Sequence, residues 1–168
     1  MLAVLYKAQN TFFPISYRQL IYIESQKYSF DPLWIASIIA VESSYRDDAV
    51  SSSGACGLMQ LMPDTAIDIA KKMGRINEKV DLFDKTTNVQ FGLYYLNRLK
   101  SQYKEPRLTL MSYNAGPQKV SKWLNKYPDL SVNQILHKVA FNETKRYVWK
   151  IELIYMLLKV SNFSFPLF

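Results

Sequence analysis

The chain contains very little cysteine, histidine or glycine, and it has no long apolar run. Cys56 is the only cysteine and His137 the only histidine among the 168 residues. An internal disulfide and a structural zinc site of clustered cysteine and histidine are therefore both excluded. The five glycines are far too few for collagen. A membrane-spanning helix needs about 20 apolar residues, whereas the apolar segments at 32–41 and 153–160 are short, and Lys159 interrupts the second. The sequence therefore predicts no transmembrane segment.

The amino-terminal segment also lacks the features of a secretion signal. Residues 1–6 are apolar, but no basic residue precedes them and no small-residue cleavage site follows them. We therefore expect either that the protein is not exported or that its export signal lies outside this chain.

The overall composition is that of a globular protein with a basic surface. Apolar residues make up 49% and charged residues 21%, which excludes a disordered chain, and aromatic residues are abundant at 14%. Lys and Arg number 21 against 14 Asp and Glu, so the net charge is +7. This balance favours an acidic partner, and nucleic acid, an anionic membrane surface and an acidic cell-wall polymer all fit it.

The spacing of apolar residues predicts an all-α fold. Helical periodicity and helix-start signals mark the segments 16–28, 32–43, 64–73, 87–100, 108–113, 131–138 and 142–159, and a further helix passes through Val120 and Leu124. The segment 45–60 is rich in serine and glycine and predicts a loop with at most a minimal β-hairpin. Polar residues at 74–84 and the segment 114–116 predict two further connections.

One carboxylate stands out against its surroundings. Asp31 followed by Pro32 predicts the start of a helix, which is apolar on all sides up to Glu42. A carboxyl in an apolar pocket has a raised pKa, and the carboxyl end of a helix acts in the same direction. A carboxyl that stays protonated near neutral pH can serve as a general acid. Glu42 also fits a plainer interpretation, as the first solvated residue after a buried helix.

Glycoside cleavage commonly uses two carboxylates, and the second one has no clear candidate. Asp47, Asp48 and Asp64 are the nearest acidic residues downstream of Glu42. Asp47 and Asp48 are adjacent in a polar loop, where a solvated pair is the more usual interpretation. The residues by themselves therefore supply one convincing acid and no convincing partner.

Four motifs in order make the sequence similar to a known family. They read ESSY at 42–45, GACGLMQLMPDTA at 54–66, SYNAGP at 112–117 and ETKRYV at 143–148. Together with Asn88, Gly92 and the Asp31-Pro32 pair, they resemble the catalytic domain of soluble lytic transglycosylases. The resemblance implies a lysozyme-like α fold of the goose type. It covers a core of about 17–155 in one domain spanning 1–168, with flanking segments at 1–15 and 161–168.

The resemblance also implies a reaction. Members of this family cleave the β-1,4 bond between N-acetylmuramic acid and N-acetylglucosamine in peptidoglycan without water, leaving 1,6-anhydromuramic acid ends. A single glutamate acts as acid and then as base, the substrate's acetamido group assists, and Glu42 occupies that position. Such substrate assistance is an exception to the two-carboxylate rule. No cofactor or metal is expected. The expected partners are peptidoglycan glycan strands, with further domains of a longer chain or cell-wall machinery as candidates, and the expected location is the periplasm.

Substrate-binding roles follow from the same resemblance, position by position. The expected substrate-binding residues are Ser51, Gln60, Met62, Tyr113, Asn114, Glu143 and Tyr147. Taken alone, each fits a structural role as well, and packing is the stronger expectation for Tyr147. The sequence departs from the family pattern where Ser112 replaces alanine, Ala140 replaces proline and Lys145 replaces arginine.

Three other functions compete with this interpretation. A non-catalytic glycan-binding module would lack Glu42 or the turn after Tyr113, yet both are present. A lysozyme-like hydrolase would use Asp47 or Asp48 to activate water. A nucleic-acid binder would fit the charge, but the basic residues are spread over many helices rather than gathered in one run. We therefore expect no nucleic-acid partner.

Overall fold

The computed structural model describes residues 2–75 and 80–164 and confirms an all-α fold. Its helices are α1 (Leu2–Phe12), α2 (Ile15–Gln26), α3 (Pro32–Glu42), α4 (Pro63–Lys72), α5 (Lys85–Tyr103), α6 (Pro106–Ala115), α7 (Pro117–Lys126), α8 (Val132–Gln134) and α9 (Asn142–Ser164). A π-helical turn at Ile135–Val139 follows α8 directly. Isolated antiparallel bridges join Val50 to Cys56 and Cys56 to Leu61, which agrees with the expectation of a loop with at most a minimal β-hairpin.

The chain forms two compact units. The first contains residues 1–95 and 153–168, and the second contains 96–152. One domain over 1–168, with a core at 17–155, stays a prediction. Parts of the predicted flanking and connecting segments, namely residues 1, 76–79 and 165–168, lie outside the described residues.

The core of the first unit surrounds α3. Leu33, Ile35, Ala36, Ser37, Ile38 and Ile39 of this helix are all buried, because its sequence offers no polar face. Both α1 and α2 pack against it, and Phe13 and Ile21 are completely buried. The segment 1–15, which we expected only to flank the domain, therefore contains a helix and supplies a core residue.

Asp31 fixes the amino-terminal end of α3. Its Oδ1 accepts a hydrogen bond from the backbone N–H of Leu33 at 2.9 Å, which is the predicted N-cap. Its Oδ2 accepts from the Tyr155 hydroxyl at 2.7 Å and from the Lys159 ammonium at 3.4 Å. Burial and the hydrogen bond to Asp31 raise the pKa of Tyr155 to about 12, so this hydroxyl remains a donor at neutral pH.

The second unit differs from its sequence prediction at the junction of α6 and α7. We expected a loop at 114–116, and this was wrong for Asn114 and Ala115, which form the last turn of α6. Gly116 alone makes the connection, because its φ of +91° ends one helix and Pro117 begins the next. A single residue with glycine's conformational freedom thus replaces a longer loop.

Two more boundaries differ from the predictions. The predicted helix at 131–138 begins with a capping box between Ser131 and Gln134 but continues as the π-helical turn. The last helix extends past residue 159 to Ser164. Within 2–75 and 80–164, no helix is both long enough and apolar enough to cross a membrane.

Candidate active site

Glu42 is the last residue of α3 in the first unit. The helix before it is buried from Ile35 to Ile39, whereas Glu42 is only half-buried. The backbone N–H of Ser43 bonds to the Ile39 carbonyl at 3.1 Å and closes the helix. The structure therefore places this carboxylate at the point where a buried apolar helix reaches partly accessible surface, as the sequence predicted.

The chain reverses direction directly after Glu42. Ser44 and Tyr45 have φ values of 53° and 62°, a left-handed conformation that is uncommon for residues other than glycine. Tyr45 secures this reversal, since its buried hydroxyl lies 2.9 Å from the Phe12 carbonyl oxygen and 3.0 Å from that of Ala36. Burial raises the pKa of Tyr45 well above its usual value, so the phenol stays protonated and remains a donor. This anchor holds the exit of α3 in place.

Ser51 lies in the loop between α3 and α4 and organises its first turn. Its Oγ accepts hydrogen bonds from the backbone N–H of Ala55 at 2.9 Å and of Ser53 at 3.3 Å. Its own backbone N–H bonds to the Ala55 carbonyl at 2.9 Å. The hydroxyl oxygen is thus used as an acceptor, and the hydroxyl proton is available for donation.

Gln60 and Met62 lie at the other end of the same loop. The Gln60 side chain donates from Nε2 to the carbonyl oxygens of Gly57 at 2.9 Å and Ala49 at 3.2 Å. These bonds close the loop on itself and hold Gln60 in a left-handed conformation, with φ at 47°. Met62 immediately precedes α4 and is 41% exposed, which is unusual for a core methionine and is compatible with contact to a ligand.

Asn88 of α5 anchors this loop. Its Oδ1 accepts from the Met59 backbone N–H at 2.8 Å, and its Nδ2 donates to the carbonyl oxygens of Cys56 at 2.9 Å and Leu82 at 2.8 Å. The side chain is completely buried, so these three bonds satisfy its oxygen and both of its amide protons. Sequence reasoning treated Asn88 only as a family marker. The signal that could have indicated a structural role is the presence of an asparagine on the otherwise apolar face of a helix.

Two glycines allow the close approach of the loop to α5. A Cβ on Gly57 would lie 2.2 Å from the Leu82 carbonyl oxygen and 2.3 Å from Asn88 Nδ2, and one on Gly92 would lie 2.3 Å from the Met59 sulfur. Any side chain at these positions would push the loop away from the helix. These glycines and Asn88 together position the segment that carries Gln60.

The other predicted residues lie in the second unit. Tyr113 and Asn114 occupy the last turn of α6 and are both half-buried. Asn114 Oδ1 accepts a hydrogen bond from the Thr144 hydroxyl at 2.7 Å, which ties the end of α6 to the first turn of α9. Asn114 therefore has a structural bond within its own unit, and its substrate-binding role stays a prediction.

Glu143 and Tyr147 lie one turn apart on α9 but differ in exposure. Glu143 is exposed in the first turn, whereas Tyr147 is buried with 7% of its surface accessible. Exposure leaves the Glu143 carboxylate accessible to a ligand, and burial matches the packing role expected for Tyr147. The substrate-binding role of each residue stays a prediction. The predicted residues divide evenly, with Glu42, Ser51, Gln60 and Met62 in the first unit and the other four in the second.

Ser112 precedes Tyr113 and leads to a stability prediction. Its hydroxyl is completely buried and has no hydrogen-bond partner among the described residues. A buried polar group without a partner is unfavourable, so Ser112→Ala is expected to raise the free energy of unfolding by about 1 kcal/mol. Urea denaturation monitored by circular dichroism measures this difference.

The matched control for Ser112→Ala is Thr144→Val in the same unit. Thr144 is also buried, but its hydroxyl is bonded to Asn114. Its isosteric replacement is expected to lower stability by about 1 kcal/mol, because it leaves the Asn114 oxygen unpaired. Equal destabilisation by the two substitutions would show that the Ser112 hydroxyl has a favourable role.

A comparison with known proteins finds lytic murein transglycosylases among the relatives of this chain. The profile of the transglycosylase SLT domain matches residues 19–136. The soluble lytic murein transglycosylase of Escherichia coli K12 is 30% identical over 140 residues, which cover 81% of this chain and 22% of that protein. Membrane-bound lytic murein transglycosylase E of Buchnera aphidicola is 33% identical over 77% of this chain and 66% of its own length.

Solved structures show the same relationship. An inactive glutamate-to-glutamine mutant of the lytic transglycosylase Slt from Pseudomonas aeruginosa superposes with a TM-score of 0.77 and 32% identity, over 90% of this chain and 25% of that one. The 70-kDa Slt70 of Escherichia coli gives a TM-score of 0.80 with 26% identity. The match covers 92% of this chain and 25% of Slt70. This chain thus spans about a quarter of the length of each of these two proteins. Because the profile match covers well over half of the sequence, the chain belongs to the transglycosylase SLT domain family.

Proposed function

We propose that this chain is a lytic transglycosylase of the periplasm. It cleaves the β-1,4 bond between N-acetylmuramic acid and N-acetylglucosamine in peptidoglycan and forms 1,6-anhydromuramic acid ends. The observation that carries the proposal is Glu42, a carboxylate at the end of the buried helix α3, followed by a loop whose internal hydrogen bonds and Asn88 anchor fix its shape. The family membership, and relatives named as lytic murein transglycosylases, support the same reaction class.

Glu42 performs two proton transfers in this mechanism. Its carboxyl group first donates a proton to the glycosidic oxygen as the bond from that oxygen to the muramic acid C1 breaks. The substrate's acetamido group stabilises the electron-poor C1. The Glu42 carboxylate then accepts the proton of the muramic acid 6-hydroxyl, while the oxygen of that hydroxyl bonds to C1. The glutamate ends protonated, and no water is consumed.

A glutamate is the essential group in at least one relative. The structure from Pseudomonas aeruginosa is that of a mutant made inactive by a glutamate-to-glutamine exchange. That exchange preserves the shape of the side chain but removes its acid and base chemistry. The same dependence is expected of Glu42 in this chain.

Ser51 and Gln60 offer complementary groups to the substrate. The Ser51 oxygen already accepts two backbone hydrogen bonds, so Ser51 acts as a donor, which suits the carbonyl oxygen of an acetamido group. Gln60 uses its Nε2 within the loop, so its amide oxygen is the atom left to accept from a sugar hydroxyl or amide. Met62, 41% exposed, provides an apolar contact surface.

The products of purified peptidoglycan test the proposed reaction. Mass spectrometry is expected to find muropeptides with 1,6-anhydro ends, which are one water lighter than the corresponding reducing sugars. Products that carry only reducing ends would instead indicate a hydrolase that uses Asp47 or Asp48, both of which are exposed in the loop after α3. Binding of glycan strands without any cleavage would indicate a non-catalytic module.

A further inference from the structure

The excess positive charge of the protein belongs entirely to the second unit. Residues 96–152 contain eleven Lys and Arg against four Asp and Glu, an excess of seven that equals the net charge of the whole chain. The first unit contains ten residues of each sign. The sequence distributes its basic residues along many helices, but only one of the two folded units carries the net charge.

Part of this charge lies beside an aromatic pair, in which Phe141 is exposed and Trp123 is half-buried. Phe141 is 51% exposed, and its ring contacts Trp123 edge-on with centroids 5.3 Å apart. The ammonium of Lys119 lies 5.3 Å from the Phe141 ring centroid, and Lys122 is exposed next to Trp123 on α7. We refer to Lys119, Lys122, Trp123 and Phe141 as the basic–aromatic surface.

The two lysines of this surface have no acidic partner in the described parts of the chain. Neither forms an ion pair with a residue of 2–75 or 80–164. Neither α7 nor the turn Ile135–Val139 contains an aspartate or glutamate. The Lys119 ammonium beside the half-exposed Phe141 ring, with the exposed Lys122 on the same helix, forms a site for a ligand that carries carboxylates next to small apolar groups.

We infer that the basic–aromatic surface binds the stem peptides of peptidoglycan, an inference that rests on the proposed function. Stem peptides carry free carboxylates beside alanine methyl groups. The carboxylates would bind Lys119 and Lys122, and the methyl groups would pack on the exposed part of Phe141. Charge complementarity favours this ligand over the neutral sugar backbone. The second unit thus recognises the peptide part of the substrate, whereas Glu42 of the first unit acts on the glycosidic bond.

Binding is measured with a Glu42→Gln background, so that strands are not degraded during the experiment. The probes are purified glycan strands that retain their stem peptides and the same strands after an amidase has removed them, with the lactyl carboxylates that this exposes converted to neutral methylamides. Lys119→Gln with Lys122→Gln is expected to weaken binding of peptide-bearing strands about tenfold at low salt, the effect of two exposed ion pairs. Binding of peptide-free strands is expected to stay unchanged.

A matched pair of substitutions controls for net charge. Lys71 and Lys72 are exposed on α4 in the first unit, so their double replacement with glutamine removes the same charge from another surface. It is expected to leave both binding constants unchanged. Phe141→Leu, which retains an apolar side chain, is expected to weaken binding of peptide-bearing strands about threefold by removing the ring surface. Thermal denaturation confirms that each variant is folded.

Several results would overturn the inference. The first is that the Lys119 and Lys122 substitutions weaken binding of peptide-free strands as much as binding of peptide-bearing strands. The second is that the Lys71 and Lys72 variant loses as much binding as the Lys119 and Lys122 variant. The third is that the protein binds double-stranded DNA or anionic vesicles more strongly than peptide-bearing strands. The proposed function fails separately, if the unmodified chain does not cleave strands of either kind. A lysine-dependent preference for peptide-bearing strands would then still support the basic–aromatic surface.

Discussion

Glu42→Gln is expected to reduce the release of soluble muropeptides from purified peptidoglycan by about 10³-fold or more, while the protein still folds. Glutamine matches glutamate in shape, but it can neither donate a proton to the glycosidic oxygen nor accept one from the 6-hydroxyl. Loss of general acid and base catalysis has an effect of this size. Because Glu42 is half-buried at the very end of α3, the change should leave the packing of that helix intact. Chromatography of the released fragments measures the rate, and circular dichroism reports the fold.

The control for this prediction is the double variant Asp47→Asn with Asp48→Asn. Both carboxylates are exposed in the loop that follows α3, and neither takes part in the proposed mechanism, so activity is expected to stay within about twofold. Activity that survives Glu42→Gln but disappears in the double variant would contradict the proposal. That result would assign the chemistry to the loop carboxylates.

Asn88→Asp is expected to give the largest loss of stability. The amide of Asn88 donates to two buried carbonyl oxygens, those of Cys56 and Leu82. Aspartate would place an oxygen, and in its ionised form a buried charge, against both carbonyls. A buried group without its partners costs about 1–3 kcal/mol and a charged one costs more, so the free energy of unfolding should fall by about 3 kcal/mol. The melting temperature should then fall by about 6–12 °C.

Asn97→Asp provides the matched control, since Asn97 lies on the same helix and is half-buried rather than fully buried. It introduces the same charge, and its melting temperature is expected to change by less than about 3 °C. Similar losses from the two substitutions would show that added charge on α5, and not the anchoring of the loop, explains the effect. In the expected case, Asn88→Asp should also lower activity at temperatures where the protein remains folded, because the loop that carries Gln60 would lose its attachment.

Local signals predicted the element that carries the proposed catalytic residue. Asp31 followed by Pro32 marked the start of α3, and the apolar residues that follow, with Ser37 as the one exception before Glu42, marked its burial; the structure shows both. Helix caps and apolar periodicity act over a few residues, so they can be read directly from the sequence. The same local rules were less successful near Gly116, where a single glycine replaces the expected loop.

The bonds that shape the candidate site could not be predicted in this way. Asn88 meets Cys56 and Met59 across about thirty residues of sequence, and no periodic pattern relates positions so far apart. The donor and acceptor roles of Ser51 and Gln60 also depend on which backbone groups of the folded loop lie within reach. The motifs selected these residues, but only the folded structure shows which of their polar atoms already form hydrogen bonds.

The sequence by itself determined the all-α fold class, the buried helix that ends in Glu42 and the family to which the chain belongs. These features depend on residue types at short, regular spacings and on motifs that follow one another along the chain in the order typical of the family. The tertiary structure decided how the loop after Glu42 is held and which unit carries the net positive charge. Both result from contacts between distant segments, where hydrogen-bond geometry and burial depend on the packing of the folded chain rather than on local propensity.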